Sequence, residues 1–214
     1  MVEVGVYRGH TLLATALLLR ELGSQKKVFG FDSFRGFPKQ NLEEQLKVKV
    51  ATSELNLSSR QQGQAMRLRQ IKEGLSSQSS LGGDSILPRD LSSSGDFSES
   101  QKSLLEQKID FLGLNNIVLV DGYYDNSMVP RNLPKQVYAG FFDCDLYESY
   151  TTSLGAICPL LLRGSFLYMD EYYSLKFPEA RVAIDRFLRD EEYKKICYSG
   201  MLNDEFERVG FVKL

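Results

Sequence analysis

The sequence predicts an α/β domain of three layers: a doubly wound, mostly parallel sheet of seven strands, helices on both faces, and a closing antiparallel hairpin. Three observations carry that expectation. Short apolar runs alternate with longer segments of helical composition across brief links, the pattern of parallel strands joined by right-handed crossovers. Two of those runs, ending at Phe142 and Met169, stop abruptly in carboxylates, so two buried strands deliver acid to what is one rim if they are neighbours. The last two apolar runs, Ile196 to Ser199 and Glu207 to Lys213, suit a hairpin.

Taken in order, Met1 to Val6 reads as a short buried strand. It starts at the first residue, so the natural chain is expected to begin earlier. Thr11 to Leu22 has high helix propensity, a cap at Thr11 and a stop at Gly23. Val28 to Phe31 is the second strand and ends in Asp32. From about residue 39 to 100 the texture changes: Ser and Gln dominate and Gly82-Gly83 punctuates, which marks a polar insertion expected to act as a lid. Within it, Asn41 to Val50 and Ser59 to Leu75 suit amphipathic helices. Ser98 is expected to cap a helix through Leu112 that Gly113 stops. The strand Ile117 to Val120 follows, then Val137 to Phe142, a helix from Tyr147 to Leu162, the strand Ser165 to Met169 and a helix from Pro178 to Asp190.

Composition excludes several classes. The chain has 214 residues, 43% hydrophobic and 25% charged, the balance of one large globular domain, so residues 1–214 read as a single unit. A formal net charge of −2 with no Lys/Arg cluster offers nothing to a nucleic-acid backbone. Leu12 to Leu19 is too short to span a bilayer and has no basic leader, so no membrane partner is expected and a cytoplasmic location follows by default. Cys144, Cys158 and Cys197 are odd in number and irregular in spacing, which favours reduced, mostly buried thiols over a disulfide framework or a thiolate zinc site.

The turn Glu3-Val4-Gly5-Val6-Tyr7-Arg8-Gly9-His10-Thr11 places glycines between a strand and a helix, where backbone must approach a ligand. It lacks the second close-spaced glycine of a dinucleotide fingerprint, which argues against an NAD-dependent dehydrogenase, and no Gly-Lys-Ser/Thr follows to make a phosphate loop. An acid at Glu3 repels a pyrophosphate but suits an ammonium or sulfonium charge. Asp32, roughly 20 to 25 residues beyond the glycines, stands where an acid grips a ribose diol. Loop and acid together fit an adenosine-containing cofactor. Asp121-Gly122 closes the third strand on the same edge and either borders an adenine or forms a simple turn. Asp143, Asp170 and Glu171 offer hard oxygen ligands suited to Mg²⁺, although each acid taken singly also reads as a helix cap.

The segments VEVGVYRGHT, FGFDSFRGFP, GDFSES, DGYYDN, FFDCDLYES and MDEYY resemble, in order from Val2 to about Tyr173, the S-adenosylmethionine-dependent O-methyltransferases typified by macrocin O-methyltransferase, which methylate sugar hydroxyls in antibiotic biosynthesis. DLYES and the preceding DSF-x-G-x-P are the most specific part. The resemblance implies a Rossmann-like methyltransferase fold, S-adenosylmethionine as methyl donor and dependence on Mg²⁺. By position it assigns Glu3, Gly5, Tyr7, Gly9 and Thr11 to the cofactor loop, with Glu3, Gly5 and Gly9 against the methionine half. Asp32 with Ser33 falls to the ribose, Asp121 with Gly122 to the adenine, and Asp143, Asp170 and Glu171 to the metal. The family commonly has two aspartates where this chain has Asp170-Glu171.

The acceptor is expected to be a small hydroxylated molecule, a sugar or a glycosylated compound. Its hydroxyl must lose a proton to attack the methyl group in line, and a bound cation lowers its pKa and fixes its position. Asp143 is the expected ligand and proton acceptor, with Asp145 the reserve base. His10, the sole histidine, lies in the cofactor loop and is not favoured as a base. Tyr123, Tyr124, Tyr147, Tyr172 and Tyr173 are candidates to wall a pocket, several of them more suited to packing. A phenolic acceptor of the catechol or caffeoyl type is the alternative, and a non-catalytic binding protein on the same fold is the other. The oligomeric state stays open, a homo-oligomer included.

Overall fold

A computed structural model of the protein describes residues 1–38, 97–174, 177, 179–189, 192–199 and 207–214. Most of the polar insertion, with its two expected helices and its lid role, lies outside the described residues. The elements are β1 (Val2–Val4), α1 (His10–Glu21), β2 (Val28–Asp32), α2 (Lys102–Phe111), β3 (Ile117–Asp121), the short α3 (Tyr124–Ser127), β4 (Val137–Phe142), α4 (Tyr147–Ile157), β5 (Leu161–Met169), α5 (Glu179–Phe187), β6 (Tyr193–Ser199) and β7 (Glu207–Lys213). They form one sheet in the order β3-β2-β1-β4-β5-β7-β6. The first five strands are parallel, and β7 runs antiparallel between β5 and β6. This is the expected mostly parallel sheet with an antiparallel C-terminal hairpin. No helix among the described residues is long and apolar enough to cross a membrane.

The strand order reverses between β1 and β4, and a crevice at that switch point is where a doubly wound sheet binds its ligands. All three residues of β1 are buried, as suits a central parallel strand covered on both faces. One core cluster packs Leu12, Leu13 and Ala16 of α1 and Leu105 of α2 against Val6 and Val28. A larger one packs Tyr150, Leu154 and Ile157 of α4 and Ala183 and Ile184 of α5 against Val2, Val4, Phe142 and Leu167.

Element ends depart from expectation for local reasons. Thr11 is not the cap of α1: the helix starts at His10 behind Gly9, whose φ of 79° is a left-handed turn that a β-branched cap could not make without strain. A Cβ at Gly9 would also lie 2.3 Å from Leu105 Cδ1, so the glycine lets α2 dock on the loop. Ser98 does not cap α2 either, because the chain makes a turn at Phe97 (φ 61°) and the helix begins five residues later, at Lys102. α4 ends at Ile157 rather than Leu162, since Pro159 has no N–H to continue the ladder. β5 therefore starts early, at Leu161, and Ser165 Oγ donates to Val137 O (2.7 Å) where its register with β4 shifts. Gly23 and Gly113 stop their helices with left-handed φ of 65° and 59° as expected.

Candidate functional site

A cavity of about 560 Å³ opens at the carboxyl ends of β1, β2 and β4, within the range of small-molecule sites. Glu3, Gly5, Tyr7, Thr11, Asp32, Ser33, Asp143 and Asp145 line it, so most of the sequence-selected residues face one space. Its floor is the contact between the glycine loop and the end of β4. The Asp143 N–H donates to Val4 O (2.9 Å), and a Cβ on Gly5 (φ 85°) would lie 1.8 Å from Asp143 O. Gly5→Ala should thus cost about 2–4 kcal/mol through left-handed strain and a backbone clash together. Thermal unfolding of that variant checks it, and wild-type stability would refute the contact.

Glu3 is 2% exposed, and its Oε2 accepts no hydrogen bond among the described residues. Burial, then the negative charges of Asp143 and Asp32, push its carboxyl up to about 8, while a hydrogen bond from the Leu12 N–H at the first turn of α1 opposes the rise. A buried acid with an idle oxygen on a ligand-sized cavity is a group that a cationic ligand can satisfy.

Asp32 sits at the expected edge with its carboxylate already engaged. Oδ2 accepts from the Val6 and Tyr7 N–H groups, both at 2.8 Å, and Oδ1 from the Phe34 N–H at 2.7 Å. It thereby fixes Tyr7 and Phe34 in left-handed conformations (φ 50° each) and has few lone pairs left for a ribose. Ser33 Oγ is likewise turned to the local backbone, donating to Gly36 O (2.8 Å) and accepting from the Arg35 N–H (3.1 Å). Asp121 pairs with Arg35 (3.2 Å) and Lys102 (3.5 Å), and neither it nor Gly122 lines the cavity. The next turn supplies that wall instead, through Tyr123, Tyr124 and Asp125.

The acids gather as a group of three. Carboxylate oxygens of Asp143, Asp145 and Glu171 all lie within 4.8 Å of one another. Asp145, expected as the reserve base, stands where Asp170 was expected. The cause is backbone geometry: Asp145 has φ 59°, and the Leu146 N–H donates to Cys144 O (2.6 Å), closing a tight turn that brings the side chain to the rim. Asp170 instead accepts from the Tyr168 hydroxyl (3.1 Å) at the start of a 3₁₀ turn. Glu171 is 4% exposed, and burial, then the charges of Asp143, Asp145 and Asp170, hold its carboxyl well above the ordinary range, against a hydrogen bond from Tyr150.

Of the five candidate tyrosines, Tyr123 and Tyr124 line the cavity. Tyr147 is hydrogen-bonded by Arg186, whose guanidinium lies 5.7 Å from its ring, and Tyr172 donates to Asp185 (2.7 Å) and meets Tyr173 edge to face. Those three are packing residues. Cys144 and Cys158 are free thiols, and burial pushes both upward, so Cys144 is an inert part of the cavity lining. Sequence reasoning missed Glu148 and Thr152, which line the acidic end; their i, i+4 spacing on α4 was the available signal. It also missed Phe37 and Phe97, which flank the insertion and meet edge to face at 5.1 Å on the cavity wall.

No family model and no curated protein matches the chain. Solved structures do. The chain is similar over its whole length to the O-methyltransferase NovP, with a TM-score of 0.64 at 16% identity, covering 71% of that chain. It is similar in the same way to the calicheamicin methyltransferase CalS11, a TDP-rhamnose 3'-O-methyltransferase, with a TM-score of 0.63 at 22% identity and 71% of that chain covered. The O-methyltransferase from Bacillus cereus in complex with SAH matches over 99% of this chain and 73% of its own, with a TM-score of 0.51 at 11% identity. The fold is the Rossmann-like methyltransferase fold.

Proposed function

We propose that the chain is a Mg²⁺-dependent O-methyltransferase that moves a methyl group from S-adenosylmethionine to a hydroxyl of a sugar or glycosylated small molecule. One observation carries the reading: a single cavity joins a buried, half-satisfied Glu3 carboxyl on a glycine loop to Asp143 and Asp145, whose carboxylates cluster with the buried Glu171. The first end fits a cofactor that carries ammonium and sulfonium charges. The second is a set of hard oxygen donors, the set that Mg²⁺ prefers. The sugar acceptor rests on the sequence resemblance and on CalS11, whose acceptor is a nucleotide sugar by its name.

Asp143, Asp145 and Glu171 would hold the cation, which when bound would supply Lewis acidity toward the acceptor hydroxyl and fix its position. Asp143, the exposed member at the cavity end of β4, takes the hydroxyl proton. Glu3 and the N–H groups at the start of α1 hold the donor's charged end, and Phe37 and Phe97 keep water from the opposite wall. Methyl transfer assayed over glycosides, nucleotide sugars, free sugars and phenols, with Mg²⁺ or with chelator, tests the proposal. Transfer to a sugar hydroxyl that stops on chelation is expected. Phenols as the sole acceptors overturn the substrate class, and failure to bind S-adenosylmethionine in both conditions overturns the enzyme.

A further inference from the structure

We propose that Tyr150 is the positioning residue of the acid cluster: its buried hydroxyl holds the Glu171 carboxylate beside Asp143 and Asp145, so that a divalent cation meets three carboxylates already assembled. The inference rests on reading that cluster as the cation site. Tyr150 is in the first turn of α4, fully buried, and the structure gives its hydroxyl three partners. It lies 3.0 Å from Phe142 O, it is hydrogen-bonded to Glu171 Oε2, and the Glu171 N–H reaches it at 3.5 Å. Its ring stacks on Phe142 with centroids 6.4 Å apart. Phe142 immediately precedes Asp143, so one phenol ties the strand end that carries Asp143 to the turn that carries Glu171.

The need for such a tie follows from charge and chain length. Glu171 is buried among Asp143, Asp145 and Asp170, all of one sign, and repulsion favours any rotamer that turns its carboxylate away. A glutamate has three side-chain torsions with which to turn. Glu171 is 4% exposed, and Tyr150 supplies its carboxylate with a hydrogen bond. Groups that orient a metal ligand in this way typically contribute about 10- to 100-fold to metal affinity.

Mn²⁺ binding to the full chain, followed by calorimetry, separates the possibilities. The measurement is made on wild type, Tyr150→Phe, Glu171→Gln and the double variant, with metal-free melting curves as a folding control. Expected is an about 10- to 100-fold weaker Mn²⁺ affinity for Tyr150→Phe, an unchanged affinity for S-adenosylhomocysteine without metal, and a double variant no weaker than Glu171→Gln. Wild-type Mn²⁺ affinity in Tyr150→Phe, or losses that add in the double variant, overturns the positioning role while leaving the cation site standing. A wild type that binds no Mn²⁺ overturns the cation site and the inference together. Should Tyr150→Phe not fold, isotope-labelled tyrosine in the wild type gives the answer: the Tyr150 Cζ resonance must shift on Mg²⁺ addition along the binding curve, and a Tyr150 resonance that Mg²⁺ leaves unmoved overturns the role.

Discussion

Asp143→Asn is expected to lower methyl transfer by about 10³-fold or more, the scale of losing a general base, while S-adenosylmethionine affinity stays within a few-fold. The asparagine keeps the volume and one oxygen but neither the charge that holds the cation nor the basicity that takes the proton. The substitution leaves intact the backbone contacts of residue 143, its N–H to Val4 O and its carbonyl against Gly5. The Gly5–Asp143 backbone contact therefore survives in this variant, which separates it from Gly5→Ala. A second readout follows from charge: Asp143 is one of the groups that raise Glu3, so neutralising it should lower the pH at which Glu3 ionises. Turnover and calorimetry on the same sample decide the matter, and an active asparagine variant removes Asp143 from the chemistry.

The acid rim was legible in sequence because the apolar-to-acid transition at the end of a strand is a one-dimensional signal. Apolar runs ending at Phe142 and Met169 could only be buried strands, and parallel neighbours bring their following acids together. Which acids converge was not legible. Asp145 reaches the cluster through a positive φ that nothing in its side chain announces, and Asp170, at the start of the 3₁₀ turn after β5, accepts from the hydroxyl of Tyr168 on that strand. The backbone contacts of Asp32 were not legible for the same reason: three backbone N–H donors, two of them from a loop some 25 residues earlier, are a tertiary fact. Caps behaved alike. Thr11 and Ser98 have the right chemistry for a helix start, yet α1 starts behind a left-handed Gly9 and α2 behind an extended Gln101, neither with a side-chain cap. Tyr147 and Tyr172 were indistinguishable in sequence from the pocket tyrosines, because Arg186 and Asp185, which engage them, come from a helix later in the chain.

Glu3→Gln is expected to flatten two pH profiles at once. In the folded, ligand-free protein the Glu3 carboxyl is raised from 4.5 to about 8, so folding favours its neutral form. The sign follows: its contribution to stability is fully present below about pH 4.5 and is lost as pH rises through 8, where the buried group must ionise beside Asp143 and Asp32. Metal-free wild type should therefore melt at progressively lower temperature between pH 5 and 8 on this account, and Glu3→Gln, neutral throughout, should not share that decline. Cofactor binding runs the opposite way. A cationic ligand needs Glu3 ionised, so S-adenosylmethionine affinity should climb with pH and level off above about 8, with a proton released on binding near neutrality. The glutamine variant should lose that climb and bind about 10- to 100-fold more weakly at pH 8, the range of a charge-assisted hydrogen bond. Calorimetry in buffers of different ionisation enthalpy counts the proton directly. If wild type and Glu3→Gln release the same number of protons, the idle oxygen of Glu3 does not face the cofactor's charge, and the cavity's cationic ligand must be held by another of its acids.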